Sequence, residues 1–269
     1  MPLILKQFNL ISHTIRNGKF LCLVRKSKSI LAKFFLKNFS IWEKAPRSFS
    51  FLSEDGLYVL KFFKYRYHQA HWAVRFLPSI FPFKNYKQRK MQKVSLDTVL
   101  SGYKIAYDHD PQGTGLLYIH LNPTANKHLP VTVMDKKGKQ YLVNLDNTHF
   151  VVQLKVQELT DLLNKLLKNP DVALAKERLC QIFDLYLSHY RKGLLDLGIG
   201  ILRNNGFIED KPIHFDVGKM TLDKRICDTK SQRERMAVMI KKVDYWLRKN
   251  YPQYREEIMH SLENKLSLI

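Results

Sequence analysis

Cysteine is scarce in this sequence, with 3 Cys among 269 residues. Cys22, Cys180 and Cys227 stand far apart, and no Cys-x-x-Cys pair occurs. A disulfide framework or a cysteine zinc knuckle needs more thiols, or thiols at close spacing. The sequence therefore predicts neither, and it favours a reducing compartment such as the cytoplasm.

Long hydrophobic runs are missing as well. The longest candidates cover residues 20–24 and 30–39, and Lys33 and Lys37 interrupt the second. Because a membrane-spanning helix needs about 20 apolar residues, we expect no span. We also expect no secretory signal, since polar residues interrupt residues 1–11 and no small-residue cleavage site follows them. The content of 45% hydrophobic and 12% aromatic residues still predicts a packed core.

Acidic residues are rare in the first third of the chain. Residues 1–93 hold 19 Lys and Arg against 3 Asp and Glu, whereas residues 94–269 hold 26 against 21. Most of the formal net charge of +21 thus belongs to one end, which predicts an anionic partner for residues 1–93. An anionic small molecule or a lipid surface fits this charge. Nucleic acid also fits, although no nucleic-acid-binding motif is present.

Residues 1–47 form a basic N-terminal segment. Between Ser27 and Trp42 apolar residues recur at helical spacing, with lysines between them. A basic amphipathic helix of this kind can lie on an anionic bilayer, which predicts peripheral association at the inner face of a membrane. It can equally pack its apolar stripe, which includes Phe34 and Phe39, on the rest of the protein. Both interpretations remain open.

Two different patterns follow this segment. Residues 48–154 contain short runs of β-branched and aromatic residues, a hairpin signal at Asp55-Gly56 and one long helical pattern at 86–109. Residues 155–269 are dominated by amphipathic helices. These helices are predicted at 158–168, 170–192 and 231–249, the third with a capping box from Ser231 to Glu234, and again from Pro252. We predict an α+β protein with a β-rich N-terminal lobe and a helical C-terminal lobe.

The stretch from Asn204 to Gly218 is the most informative part of the chain. Phe207-Ile208 and Ile213–Phe215 are predicted to be short strands around a polar turn, and Asp216 follows them in an Asp-x-Gly sequence. Asn204 and Asp216 would offer an amide oxygen and a carboxylate, which Mg²⁺ can bind together with the phosphates of ATP. The alternative is an ordinary surface hairpin.

With these features the chain resembles the protein-kinase-like fold, most of all its small bacterial branch of lipopolysaccharide-core sugar kinases and aminoglycoside phosphotransferases. It is also similar to an uncharacterised family from chlamydia-related bacteria. That similarity runs through segments such as Gly115-Leu116-Leu117-Tyr118-Ile119-His120-Leu121-Asn122 and Asn205-Gly206-Phe207-Ile208. The resemblance covers most of residues 48–260, and it implies a fold more firmly than an activity.

The resemblance also implies where phosphates and metal would bind. Lys61, at the end of Val59-Leu60-Lys61, would neutralise the α- and β-phosphates. Asn204 and Asp216 would hold Mg²⁺, with Asn205 as the alternative register for the amide. Lys61 and Asp216 would then have to converge on one cleft. The implied cofactors are ATP and Mg²⁺.

Two further roles follow from the same resemblance. Gln153 and Lys155 would lie at the hinge between the lobes, where backbone groups meet adenine. Asp196 would act as the base for the substrate hydroxyl. Because little chain follows Gly218, we expect a small or lipid-linked hydroxyl substrate rather than a protein.

The sequence also departs from the kinase pattern. No Gly-x-Gly-x-x-Gly precedes Lys61, where Gly56 stands alone, and no Ala-Pro-Glu follows Asp216. The helix glutamate that should pair with the strand lysine has no match, and Asp97 is the nearest substitute. The spacing from Asp196 to Asn204 is longer than the Asp-x-x-x-x-Asn of protein kinases. Two alternatives therefore stay open: a kinase-shaped binding protein without turnover, and a basic membrane-surface or nucleic-acid adaptor.

One further pair of potential ligands is present. His68 and His71 could share a helical face, but no third ligand stands near them in the sequence, so we expect no zinc site there.

Overall fold

The computed structural model describes residues 38–43, 48–63 and 96–269. Most of the basic N-terminal segment, the pair His68 and His71, and the first part of the helix predicted at 86–109 lie outside these residues. Among the described helices, none combines the length and apolar character that crossing a membrane requires.

The first half of the described chain forms a seven-stranded sheet. Its strands are β1 (Phe39–Glu43), β2 (Ser48–Ser53), β3 (Tyr58–Phe63), β4 (Leu116–His120), β5 (Val131–Met134), β6 (Gln140–Val143) and β7 (Phe150–Leu154). They lie in the order β4-β7-β3-β2-β1-β5-β6, and every neighbouring pair is antiparallel except β1 and β5. Runs rich in Val, Ile, Phe and Tyr explain why the sequence predicts strands β2 to β7.

The amphipathic helix predicted between Ser27 and Trp42 is wrong at its C-terminal end. Phe39–Glu43 is the strand β1, which lies between β2 and β5, and Phe39 is 1% exposed. Phe39 therefore belongs to the core of the sheet. The segment boundary predicted at residue 47 consequently falls between two paired strands.

Helices dominate the second half, and two further helices lie between β3 and β4. The helices are α1 (Leu96–His109), α2 (Pro111–Thr114), α3 (Leu159–Lys168), α4 (Val172–Arg191), α5 (Thr229–Asn250) and α6 (Arg255–Ser267). The predicted positions of α3, α4 and α5 are confirmed, but the capping box at Ser231 is wrong. The side chain of Asp228 caps α5 by accepting a hydrogen bond from the Ser231 amide over 3.0 Å, because the first helical turn begins earlier than the sequence suggests.

Five short strands complete the fold. They are β8 (Gln157–Glu158), β9 (Leu194–Asp196), β10 (Asn205–Ile208), β11 (Lys211–His214) and β12 (Met220–Leu222). The predicted hairpin is formed by β10 and β11, and β10 also pairs with β8. Its turn is shorter than predicted, because Pro212 already pairs with Phe207 and only Glu209-Asp210 connects the strands. The second ribbon pairs β12 with β9.

A shared core cluster holds the sheet and the second half together. It combines residues of β3, α1, β9 and the segment after β11, among them Phe63, Tyr103, Leu194 and Val217. α1 approaches the segment after β11 so closely that a Cβ atom on Gly102 would lie 2.7 Å from the Val217 carbonyl oxygen. Only glycine allows this approach, which fixes the distance between α1 and the Asp-Val-Gly sequence.

Candidate functional site

A cleft of about 440 Å³ opens where β3, α1 and the loops after β9 and β11 meet. Its walls come from both halves of the chain. They are formed by Ser48, Lys61, Phe63, Val99, Tyr103, Asp196, Gly198, Gly200, Arg203, Asn204, Asp216, Gly218 and Lys219. Four of the six site residues predicted from the sequence, Lys61, Asp196, Asn204 and Asp216, therefore line one cleft.

Lys61 lies on β3, a strand flanked on both sides by other strands, and it is 9% exposed. Burying an ammonium group is costly unless it is hydrogen-bonded. Lys61 Nζ donates to the Tyr103 hydroxyl over 2.9 Å, and that hydroxyl donates to Asp216 Oδ1 over 3.3 Å. The structure thus brings Lys61 and Asp216 to the same cleft, as the resemblance implies, and Tyr103 links them.

Tyr103 stands where the resemblance implies a glutamate. Burial raises the pKa of Tyr103 to about 12, although Lys61 acts in the opposite direction. At neutral pH the phenol therefore keeps its proton, so it can accept from Lys61 and donate to Asp216. The suggested substitute Asp97 is wrong, because it is exposed in the first turn of α1 and does not line the cleft. Sequence reasoning looked for an acidic partner of Lys61, and it therefore overlooked Tyr103, whose side chain is neutral.

The two asparagines before the hairpin have different surroundings. Asn205 is fully buried, and its Nδ2 donates to the Tyr186 hydroxyl over 3.1 Å and to the Ile201 carbonyl over 2.9 Å. Asn204 is partly exposed and lines the cleft, and its carbonyl accepts the Phe215 amide over 2.8 Å. Of the two registers, only Asn204 shares the cleft with Asp216.

Asp196 ends β9 and is 4% exposed. Its Oδ1 accepts the Gly198 amide over 2.7 Å, and its Oδ2 lies 3.4 Å from His214 Nε2. Burial disfavours the charged carboxylate, but the His214 imidazole, the Gly198 amide and Lys219 outweigh it and lower the pKa of Asp196. Asp196 is therefore a carboxylate at neutral pH. The sequence does not reveal His214, which stands in an apolar strand.

Behind Asp196 lies a second buried pair. His189 Nε2 lies 3.0 Å from Asp110 Oδ2, and the Lys192 ammonium lies 3.1 Å from the same oxygen. The rings of His189 and His214 are 5.7 Å apart, so the two pairs are neighbours. All four ring nitrogens of the two histidines are buried, and none makes a well-formed hydrogen bond among the described residues.

The loop between β9 and β10 depends on glycine. A Cβ atom on Gly200 would lie 2.5 Å from the Asn204 side chain, and one on Gly198 would lie 3.0 Å from the Asp196 carboxylate. The two glycines therefore let this loop fold tightly around both predicted side chains. This explains its Gly-x-Gly sequence, although the loop is longer than in protein kinases.

The two residues predicted at the hinge, Gln153 and Lys155, have different surroundings. The Lys155 side chain is exposed and lines neither the main cleft nor the small adjacent cavity, and its amide donates to the Leu57 carbonyl over 2.8 Å. The side chain of Gln153 donates to the carbonyl of Phe215 over 2.9 Å, so it fixes the residue before Asp216. The small cavity, of about 30 Å³, is lined by Gln153 together with Val156 and Glu158 among others.

Sequence reasoning missed two cations of the cleft. Arg203 is exposed and Lys219 is partly exposed, and both line it. Together with Lys61 they place three positive side chains around the carboxylates of Asp196 and Asp216. In the sequence, these two residues could have been found only because Arg203 precedes Asn204 and Lys219 follows the Asp-x-Gly sequence.

Comparisons with known proteins add little to this geometry. No protein-family model and no curated protein matches the chain. Among solved structures, a co-crystal structure of WbdD with a kinase inhibitor is 12% identical, covers 85% of this chain and 46% of its own length, and has a TM-score of 0.40. A structure described as the bifunctional kinase-methyltransferase WbdD is 13% identical, with coverages of 86% and 47% and a TM-score of 0.41. The chain spans about half the length of these proteins, and at such scores the similarity by itself assigns no activity.

Proposed function

We propose that this protein is a divergent kinase-like phosphotransferase that binds ATP and Mg²⁺ in the cleft between its sheet and its helices. The observation that carries the proposal is the chain of contacts Lys61–Tyr103–Asp216, which joins a buried strand cation to an exposed carboxylate. In kinases the strand lysine binds phosphate oxygens, and the Asp of the Asp-x-Gly sequence holds the metal.

The order of elements supports the same proposal. A lysine on β3, a helix packed behind it, and a carboxylate just after a hairpin are the parts that kinases use to position ATP. Asn204 and Asp216 would hold Mg²⁺, because both offer oxygen donors to one cleft and Mg²⁺ prefers such ligands. Bound metal would neutralise charge on the phosphates, while Lys61, Arg203 and Lys219 would orient them.

Asp196 is the residue we propose as the base. It is charged at neutral pH, lines the cleft, and is held by the Gly198 amide. A substrate hydroxyl placed against Oδ1, the oxygen that does not face His214, would hand its proton to Asp196 as its oxygen attacks the transferred phosphoryl group and the bond to ADP breaks. His214 would act as a positioning residue, since its imidazole lies against Oδ2 on the buried side.

A second cavity, of about 500 Å³, supports an acceptor of mixed polar and apolar character. It adjoins the cleft, because Gly198, Gly200 and Arg203 line both. Tyr245 and Trp246 form part of its wall. Aromatic rings beside a cationic side chain suit a small or lipid-linked hydroxyl substrate, and residues 1–93 would hold the protein near an anionic surface.

The base of the nucleotide would be bound less tightly than its phosphates. The small cavity near Val156 holds only about 30 Å³, so a purine ring requires its walls to move apart. We therefore expect ATP and GTP to bind with similar affinity, whereas removal of Mg²⁺ weakens both.

Thermal unfolding with and without ATP and Mg²⁺ tests the proposal. ATP with Mg²⁺ should raise the melting temperature of the wild type by mass action, and Asp216→Asn should abolish this rise. Asp97→Asn is the matched control, since it makes the same chemical change outside the cleft. Equal nucleotide stabilisation of the wild type and Asp216→Asn would contradict the proposed site.

Turnover needs a separate measurement. Release of ADP, with water or an added hydroxyl compound as acceptor, should disappear in Asp196→Asn while nucleotide stabilisation persists. Nucleotide binding without ADP release in the wild type would favour a kinase-shaped binding protein. Absence of both, together with salt-sensitive binding to anionic vesicles or nucleic acid, would favour a basic adaptor.

A further inference from the structure

A second cluster of potential ligands lies away from the cleft, on the loops beside the sheet. His120 ends β4, His128 stands in the loop before β5, and Asp146 stands in the loop between β6 and β7. One ligand atom from each residue lies within 4.8 Å of the others. None of the three lines the cleft or the two adjoining cavities. Because the residues span three separate segments, no short sequence motif announces the cluster.

Each of the three side chains is oriented by a group outside the cluster. His120 Nδ1 lies 2.9 Å from the Thr148 carbonyl, and His128 Nε2 lies 2.8 Å from the Tyr118 hydroxyl. The Asp146 carboxylate accepts the amides of residues 127 and 128. Metal-binding histidines almost always use their second nitrogen in this way, which fixes the ring and aims the first nitrogen at the metal.

Without a metal, the members of the cluster contact one another and Thr124. A carbonyl can only accept, so the hydrogen of a neutral His120 must sit on Nδ1 and Nε2 carries a lone pair. That lone pair faces the Thr124 hydroxyl at 3.1 Å, and the same hydroxyl also contacts Asp146 Oδ1. His128 Nδ1 lies 2.9 Å from Asp146 Oδ1, so one nitrogen of each histidine and the Asp146 carboxylate lie close together.

A metal cation at this position would meet little competing water, because His120 is 4% exposed. Two imidazole nitrogens and one carboxylate oxygen form a ligand set that zinc commonly binds, with the fourth position left to water or to a neighbouring oxygen such as that of Thr124. Asp146 is 7% exposed, so a buried carboxylate would compensate half of the charge of a divalent ion.

We propose that His120, His128 and Asp146 form a zinc-binding site that clips the loop before β5 to the loop between β6 and β7. The amide of Thr124 donates to the Asp146 carbonyl over 2.9 Å, so the two loops are already in contact without the ion. The site lies beside the large sheet and apart from the proposed phosphotransfer residues. Its role is therefore structural, and it is independent of the proposed function.

Metal content and cobalt spectroscopy of the full chain test this proposal. After chelation and dialysis, the wild type should rebind one zinc ion per chain at micromolar concentration. Cobalt in place of zinc should give the intense visible bands of a tetrahedral site. Asp146→Asn, which preserves shape but removes the charge, should lose binding by at least about tenfold, and Tyr118→Phe should weaken it by about tenfold through His128.

His260→Gln is the control, because His260 is an exposed histidine on α6 and should leave zinc binding unchanged. Wild-type protein that binds neither zinc nor cobalt would overturn the proposal, whatever the variants do. Binding that survives Asp146→Asn but is lost with His260→Gln would also overturn it, since the ion would then sit elsewhere. The cluster would in that case be a hydrogen-bonded contact between two loops.

Discussion

The two walls of the cleft hold their charges in different ways. On the sheet wall, which we define as Lys61 and Tyr103, a buried ammonium group donates to a neutral phenol. On the helical wall, which we define as Asp196 at the cleft together with Asp110, His189 and His214 buried behind it, each carboxylate lies against a buried imidazole. The helical wall is thus internally compensated, whereas Lys61 on the sheet wall is linked through the Tyr103 hydroxyl to the carboxylate of Asp216.

This difference separates stability from ligand response. Removing one member of a buried polar pair is costly because the remaining member stays buried without its partner. Changes in the helical wall should therefore lower the free energy of unfolding and leave ligand binding intact in the molecules that fold. Changes in the sheet wall should do the opposite, since Lys61 and Asp216 are the groups that phosphates and metal would engage.

The largest effect is expected for Asp110→Asn. The amide keeps the cap on α2, where Asp110 accepts the Gly113 amide, but it removes the charge beside His189 and Lys192. Loss of one partner from a buried pair costs about 3 kcal/mol, measured by denaturant unfolding. Asp108→Asn is the control: it breaks only an exposed pair with Lys104, which contributes about 0.5 kcal/mol. Equal losses in the two variants would show that the helical wall is not specially stabilising.

Gly102→Ala should have the next largest effect. The added methyl group would lie 2.7 Å from the Val217 carbonyl oxygen and 2.8 Å from the Gly218 carbonyl carbon, so α1 must move away from the segment after β11. Overpacking of this kind costs about 1–3 kcal/mol. Because α1 carries Tyr103, nucleotide stabilisation should also fall. This single variant should therefore lower both the free energy of unfolding and the response to nucleotide.

Ser101→Ala is the control for that experiment, since Ser101 is the exposed neighbour of Gly102 on the same helix. It should leave both the unfolding free energy and the nucleotide response unchanged. A fully stable Gly102→Ala protein with normal nucleotide response would mean that α1 can shift without disturbing Tyr103.

Tyr103→Phe should have a smaller effect on stability and a clearer effect on binding. It removes the hydroxyl between Lys61 and Asp216 but keeps the ring against Phe63, at a centroid distance of 5.2 Å. The loss of a typical hydrogen bond costs about 1 kcal/mol. The comparison of the walls predicts that nucleotide stabilisation falls more in this variant than in Asp110→Asn. A larger fall of nucleotide stabilisation in Asp110→Asn than in Tyr103→Phe would contradict the proposed difference between the two walls.

The contrast between the walls also explains what the sequence could reveal. Residue type and local pattern predicted the α+β class, the strands at 48–63 and 131–134, and the hairpin that precedes Asp216, because these depend on neighbours in the chain. The role of Tyr103 escaped prediction, since its partners Lys61 and Asp216 come from distant segments. Pairs that meet only in the fold leave no spacing rule in the sequence.

The choice between Asn204 and Asn205 shows the same limit at closer range. Both asparagines precede the hairpin, and residue type alone does not distinguish them. Tertiary packing decides, because Tyr186 on α4 accepts a hydrogen bond from Asn205 and buries it. Asn204, at the turn before β10, is left facing the cleft.

The smallest effect expected is the pH dependence that His189 gives to stability. Burial lowers the pKa of His189 in the folded protein, although Asp110 opposes this, and His214 and Lys192 favour the neutral ring. The unfolded chain, with an ordinary histidine pKa, therefore binds the proton more readily near pH 6. The contribution of His189 to the free energy of unfolding is therefore present above about pH 6 and is lost as the pH falls below it.

His189→Gln should flatten this dependence, so that the unfolding free energies of variant and wild type differ less at pH 5.5 than at pH 7.5. The Asp110 carboxylate acts in a separate window. Its hydrogen bonds and charge interactions with His189 and Lys192 outweigh burial and lower the pKa of Asp110 to about 2, so its contribution is lost only in strong acid. A wild-type stability that rises as the pH falls from 7.5 to 5.5 would mean that His189 gains a proton on folding. His189 and Asp110 would then form an imidazolium–carboxylate ion pair in the helical wall, like the ion pair between Lys192 and Asp110.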